Sequence, residues 1–135
     1  MIKKVGDALT AALEAQCPTY AVDLVEDLQN YDFLHPDAAL VPVLAQSPWG
    51  DSPNAANTFR PVEPTFAIHT FTHGLHADPS AYDLLEDVEA AVEGLGIEGT
   101  DAHPGGTIYI QDQMFERAKP GGVTIYVTQA QLSAR

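Results

Sequence analysis

The chain has 135 residues, of which 45% are apolar and 19% charged, with 19 acidic against 6 basic side chains and a net charge of −13. That length fits one domain with a moderate core, and the balance of apolar and charged residues excludes a disordered chain, which needs low hydrophobicity together with high charge. The acid excess argues against nucleic acid and against anionic membrane surfaces as partners, because both are gripped by clustered Lys and Arg.

Residues 2–17, "IKKVGDALTAALEAQC", set Ile2, Val5, Leu9, Ala12, Leu13 and Cys17 on one helical stripe, and Pro18 stops the helix. Cys17 is the only cysteine, so no intrachain disulfide can form, in keeping with a reducing compartment. At the end of an amphipathic helix it reads as a small core residue. Lys3 and Lys4 are followed by no apolar run of signal-peptide length, and no stretch approaches a transmembrane span, so the chain is expected in the cytosol.

"TYAVDLV" is a short strand through Val25, and "EDLQNYDFLHPD" has room for one helical turn. Residues 38–45, "AALVPVLA", read as a strand. Pro42 inside it has no N–H for a ladder, so this strand lies at an edge or carries a bulge. Residues 46–64, rich in Pro and Asn, show no period and read as one long loop, the kind that binds something or moves. "TFAIHTFTH" alternates Phe66, Ile68, Thr70 and Thr72 against Ala67, His69, Phe71 and His73, which is strand period.

Asp78 and Pro79 open a second helix as cap and first residue. Ala81, Leu84, Leu85, Val88, Ala91, Val92 and Leu95 form its apolar stripe, with Tyr82 at the margin and Gly94 and Gly96 as stops. Asp83, Glu86, Asp87, Glu89 and Glu93 fall off that stripe and read as a solvated face. Paired catalytic carboxylates converge across a cleft from separate elements, whereas acids spread along one helix repel each other and prefer water.

Two strands close the chain. "TIYIQ" puts Ile108 and Ile110 opposite Tyr109, and "GGVTIYVTQ" puts Val123, Ile125 and Val127 inward with Thr124, Tyr126 and Thr128 outward. "DQMFERAKP" joins them and is too long for a tight hairpin. The expected fold is a single α+β domain over residues 1–135: a mainly antiparallel, twisted sheet of about five strands with two main helices packed on one face.

Reactive constellations are sparse. His69, His73 and His76 are the candidate metal ligands, with His35 and His103 elsewhere. On a strand, His69 and His73 share a face but stand about 13 Å apart at ~3.3 Å per residue, too far for one ion. His73 and His76 meet only if Gly74 turns the chain, and no Cys pair or H-E-x-x-H helix supports them. No G-x-S-x-G elbow surrounds Ser47, Ser52, Ser80 or Ser133. "HPGGT" and "KPGGV" read as turns rather than phosphate loops. The expectation is no catalytic residue, no cofactor and no metal. Interaction residues are easier to nominate. Trp49, Phe59 and Arg60 lie in the long loop, and Trp and Arg are favoured interface anchors. The other reading is that Trp49 plugs its own core. Met114 and Phe115, in the late connection, carry the same two readings, tilted towards the core.

"AYDLLEDVEAAVEGLGI" resembles a helix of the tail terminator family, the small tail proteins of Mu-like phages and prophages. The order of the remaining segments agrees: "IKKVGDALTAALEAQCP", then "ALVPVLAQSP", "PTFAIHTFTHGLH", "GTIYIQDQMFE" and "GVTIYVTQ". The His-rich strand end and the length of the Pro/Asn loop stand outside the resemblance. The resemblance implies a non-catalytic ring, a hexamer, at the head-proximal end of the tail tube. Such a ring stops tube polymerisation and meets a neck or connector protein. It implies a virion location after assembly in the host cytoplasm, and genomic DNA passing the bore without specific binding. A head–tail connector or stopper is the alternative within assembly proteins, and a small His-based metal- or ligand-binding domain the alternative outside them.

Overall fold

The computed structural model describes residues 1–17, 21–22, 39–49, 61–72, 81–119 and 123–134. Their elements are α1 (Ile2–Gln16), β1 (Ala21–Val22), β2 (Ala39–Gln46), β3 (Thr65–Thr72), α2 (Ala81–Val92), β4 (Gly96–Ile97), β5 (Gly106–Lys119) and β6 (Val123–Ala134). They form one sheet in the order β1-β2-β3-β6-β5-β4, antiparallel throughout except for the β1–β2 pair. The α+β architecture expected from the sequence is present, with the two-residue β4 added as a sixth strand.

Both helices lie on one face of the sheet because each carries one apolar stripe. Val5, Leu9 and Leu13 of α1 and Leu84, Val88 and Val92 of α2 are fully buried against Leu40, Phe66, Ile68, Ile108, Ala130 and Leu132. Each such leucine or valine contributes about 1.5–3 kcal/mol by leaving water. Gly6 allows the closest approach of α1. A Cβ there would lie 3.2 Å from the ring of Phe66. At the end of α2, Gly94 takes φ 81, and its N–H donates to the Ile108 carbonyl at 2.8 Å, leading the chain straight into β4. The proposed cap at Asp78 and Pro79 lies outside the described residues. No helix among the described residues is long and apolar enough to cross a membrane.

The long loop of residues 46–64 is tied at its ends. Gln46 belongs to β2, Trp49 bridges Val62, and the Glu63 N–H donates to Pro48 at 2.8 Å. Pro42 is where its missing donor does least harm. Beyond Leu40, no described residue pairs with the outer side of β2, and a bulge follows between Leu44 and Gln46.

Two expectations need correction. "DQMFERAKP" is not a loop: residues 111–119 continue β5 and pair with β6 as far as Lys119 opposite Val123. Bulges between Ile110 and Asp112 and between Phe115 and Arg117 break the two-residue period twice, so the strand is not legible as one. The parity of β6 is also inverted. Tyr126, Thr128 and Ala130 pair with Thr70, Ile68 and Phe66 and so face the helices, while Ile125 and Val127 pair with Phe71 and His69 on the far face. Ile125 and Thr128 are both buried, so polarity does not mark the side. Thr128 serves in a core because its hydroxyl accepts from Gln113 Nε2 at 3.2 Å, while the same amide donates to the Leu85 carbonyl at 3.1 Å. Ser133 lies within β6.

The 100–105 turn admits no side chain at Gly105, which has φ 74. A Cβ there would fall 2.3 Å from the Ile97 carbonyl oxygen and 2.6 Å from the Gly99 nitrogen. Gly105→Ala should therefore lower unfolding stability by more than about 2 kcal/mol, combining left-handed strain with a backbone collision. Urea denaturation measures this directly. An unchanged midpoint would show that the turn can relax.

Candidate functional site

The bulges in β5 decide what the far face of the sheet presents. After Ile108 and Ile110, the first bulge turns Met114, opposite Val127, to the far face at 56% exposure, while Phe115, opposite Tyr126, stands 55% exposed on the helix side of the strand; Tyr109 is also half exposed. Neither Met114 nor Phe115 enters the core, which corrects the sequence reading. Beside them, Ala67 and His69 of β3, Glu116 of β5, and Val127 and Gln129 of β6 line a groove of about 440 Å³. Its walls are mostly apolar. His69 is buried in its floor, with Nε2 3.9 Å from Glu116 Oε2 and its ring stacked near Phe71 at 6.4 Å. Around the margin, Phe115 meets Tyr126 edge-on at 5.6 Å, and Tyr126 meets Tyr82 at 6.4 Å. Burial, then Tyr82 beside it, raises the Tyr126 phenol above its ordinary range.

Trp49 is 62% exposed, so it is no plug of its own core. Its backbone root is held firmly. His103 is buried; its Nδ1 accepts from the Gly105 N–H at 2.9 Å and its Nε2 lies 2.8 Å from the Val62 carbonyl. An N–H has only a proton to give, so Nδ1 is the acceptor and Nε2 carries the hydrogen to Val62. His103 is thus a tie between the 100–105 turn and Val62, the bridge partner of Trp49. Gln131 Nε2 donates to the Glu63 carbonyl at 3.2 Å, and the Ala134 N–H donates to Glu63 Oε2 at 2.9 Å.

Phe59, Arg60, His35, His73 and His76 lie outside the described residues. Of the imidazoles that are described, His69 and His103 stand in different places with different work, and no three His, Cys, Asp or Glu among the described residues gather as metal ligands. A second cleft, between α2 and β5, is lined by Glu89, Glu93, Ile110, Asp112 and Gln113. Its Glu93 carboxylate accepts the Ile110 N–H at 2.7 Å, which gives one helix acid a structural task. The groove residues Ala67 and Val127 carry no sequence signal of their own. Only the register past the bulge after Ile110 brings them beside Met114.

Two predictions arise from the buried polar groups. His103→Ala leaves the Gly105 N–H and the Val62 carbonyl without partners and should cost about 1–3 kcal/mol for each, whereas Glu98→Ala on the exposed turn should stay within about 0.5 kcal/mol; thermal unfolding distinguishes them. Cys17 is buried near Asp87, and burial first, that carboxylate second, pushes its thiol up to about 11. It should resist thiol reagents at pH 8 in the folded protein and react at once in denaturant. The folded state holds the thiol neutral while the unfolded state ionises at lower pH. Wild type should therefore lose stability relative to Cys17→Ala as pH rises from about 9 to 11, by on the order of 2 kcal/mol.

No protein-family model matches this sequence, and no curated protein matches it. Among solved structures, one similar in fold is a chain from the virion of a native gene transfer agent particle. The likeness has a TM-score of 0.54 at 15% identity and covers 90% of this chain and 84% of that one. At that identity the likeness is one of fold.

Proposed function

We propose that the chain is a structural protein of a phage-type virion, and within that class a tail terminator. It closes into a homo-oligomeric ring, a hexamer, at the head-proximal end of the tail tube. There it ends tube polymerisation and offers its other side to a neck or connector protein. It works through its surfaces and not by catalysis, and needs no cofactor.

The observation that carries this reading is the shared fold with a virion component over nine-tenths of the chain. The surface agrees with it. Trp49, Tyr109, Met114 and Phe115 stand exposed in a chain of only 135 residues. Scattered exposed apolar side chains are ordinary, but aromatic and Met residues beside an apolar groove mark an interaction surface. A ring closes by heterologous contacts, one patch meeting a different patch on its neighbour. The net charge of −13 suits a bore through which DNA passes, because basic residues there would retain it.

Size-exclusion chromatography with light scattering tests the proposal, first on the chain alone and then with polymerising tail tube protein from the same virion. A ring that shortens tubes and stays bound at one tube end supports the terminator. A ring that leaves tube length unchanged yet binds the connector indicates a neck stopper instead. A monomer that ignores both proteins defeats the reading.

A further inference from the structure

We infer, resting on the ring reading above, that Trp49 is a knob that enters the Met114 groove of the next copy of this chain. The knob is preorganised. Its indole is 62% exposed, but its backbone is fixed by the bridge to Val62, and Val62 is in turn held by His103. An exposed aromatic on an immobilised backbone loses little freedom on binding, which is what makes Trp an effective anchor.

The groove fits that knob in size and polarity. About 440 Å³ falls inside the range of roughly 300–1,000 Å³ typical of clefts that bury a small molecule, enough for one indole. Ala67, Met114, Phe115 and Val127 supply apolar walls, and Gln129 and Glu116 supply acceptors. The indole is donor-only through its single N–H, so it complements a groove edged by an amide oxygen and a carboxylate. Charge selects this kind of contact between copies. Two chains of −13 repel each other, so their contact is favoured where a neutral donor on one copy meets acceptors on the other. Knob and groove also sit apart: Trp49 follows the end of β2, while the groove lies at mid-strand on β3, β5 and β6. A patch that fits a pocket elsewhere on the same molecule makes head-to-tail contacts, which close into rings.

Trp49 is the only tryptophan, so its fluorescence reports this contact alone. The experiment follows emission wavelength and acrylamide quenching across a concentration series of the full chain, alongside light scattering. As the oligomer forms, emission should move to shorter wavelength and quenching should fall. Trp49→Ala and Met114→Glu should each raise the midpoint concentration for assembly by about 30-fold or more, the penalty for losing an anchor. In Met114→Glu, Trp49 emission should keep its dilute value at concentrations where wild type has shifted. Ala90→Glu, which adds the same charge on the exposed side of α2 away from the groove, should assemble as wild type does. The double variant should be no weaker than the worse single one, because both remove one contact. All three substituted side chains are exposed, so circular dichroism should show native folds. An oligomer in which Trp49 emission and quenching never change overturns the knob and leaves the ring standing. A chain that stays monomeric at every concentration removes the ring and the knob with it.

Discussion

Everything in this fold depends on two helical stripes sharing one face of one sheet. Val5, Leu9 and Leu13 of α1 and Leu84, Val88 and Val92 of α2 need an apolar floor, and Phe66, Ile68, Ile108, Ala130 and Leu132 provide it. The pleat then sends the alternate residues of those strands to the other side, which no described helix covers. A sheet with helices on one face must solve its second face in some other way. Here part of that face is buried within the chain, at Thr65, Ala67, His69 and Phe71. The strip along β5 is left for partners.

The strand edges point to the same division of labour. Among the described residues, β1 covers only Ala39 and Leu40 of the eight-residue β2 at one end of the sheet, and at the other β4 covers only Gly106 and Thr107 of the fourteen-residue β5. Long open edges invite uncontrolled pairing. Pro42 removes a donor from one, and two bulges interrupt the register of the other. Both edges are blunted, which shifts specific association onto side chains. The first of those bulges sets Met114 on the far face beside Val127, so the device that interrupts the edge also builds the groove.

The sequence made some of this legible and hid the rest, for physical reasons. Both helices could be read because a single buried stripe imposes a 3.6-residue period on Leu9, Leu13, Leu84 and Val88. β3 was equally plain from strict alternation between Phe66 and Thr72. The second half of β5 was not, since each bulge resets the alternation and "DQMFERAKP" then looks like a connection. The facing of β6 was misread because both sides of that strand are buried, so Ile125 and Thr128 give no contrast between wet and dry. Of the five acids read as a solvated face, Asp83, Glu86, Glu89 and Glu93 are exposed, while Asp87 is half-buried near Cys17. Trp49 could be nominated as an anchor by residue type alone. The tie through His103 that fixes its position could not, because it joins residues 41 apart.

The central claim is that the face away from the helices is the working surface. Hydrogen exchange, compared between the dilute chain and its assembled form, addresses it most directly. The claim requires new protection at residues 109–116 of β5 and at 47–49, with the outer side of α2 exchanging at the same rate in both states. Protection confined to α2, or none anywhere in an assembly that light scattering shows to have formed, would contradict it.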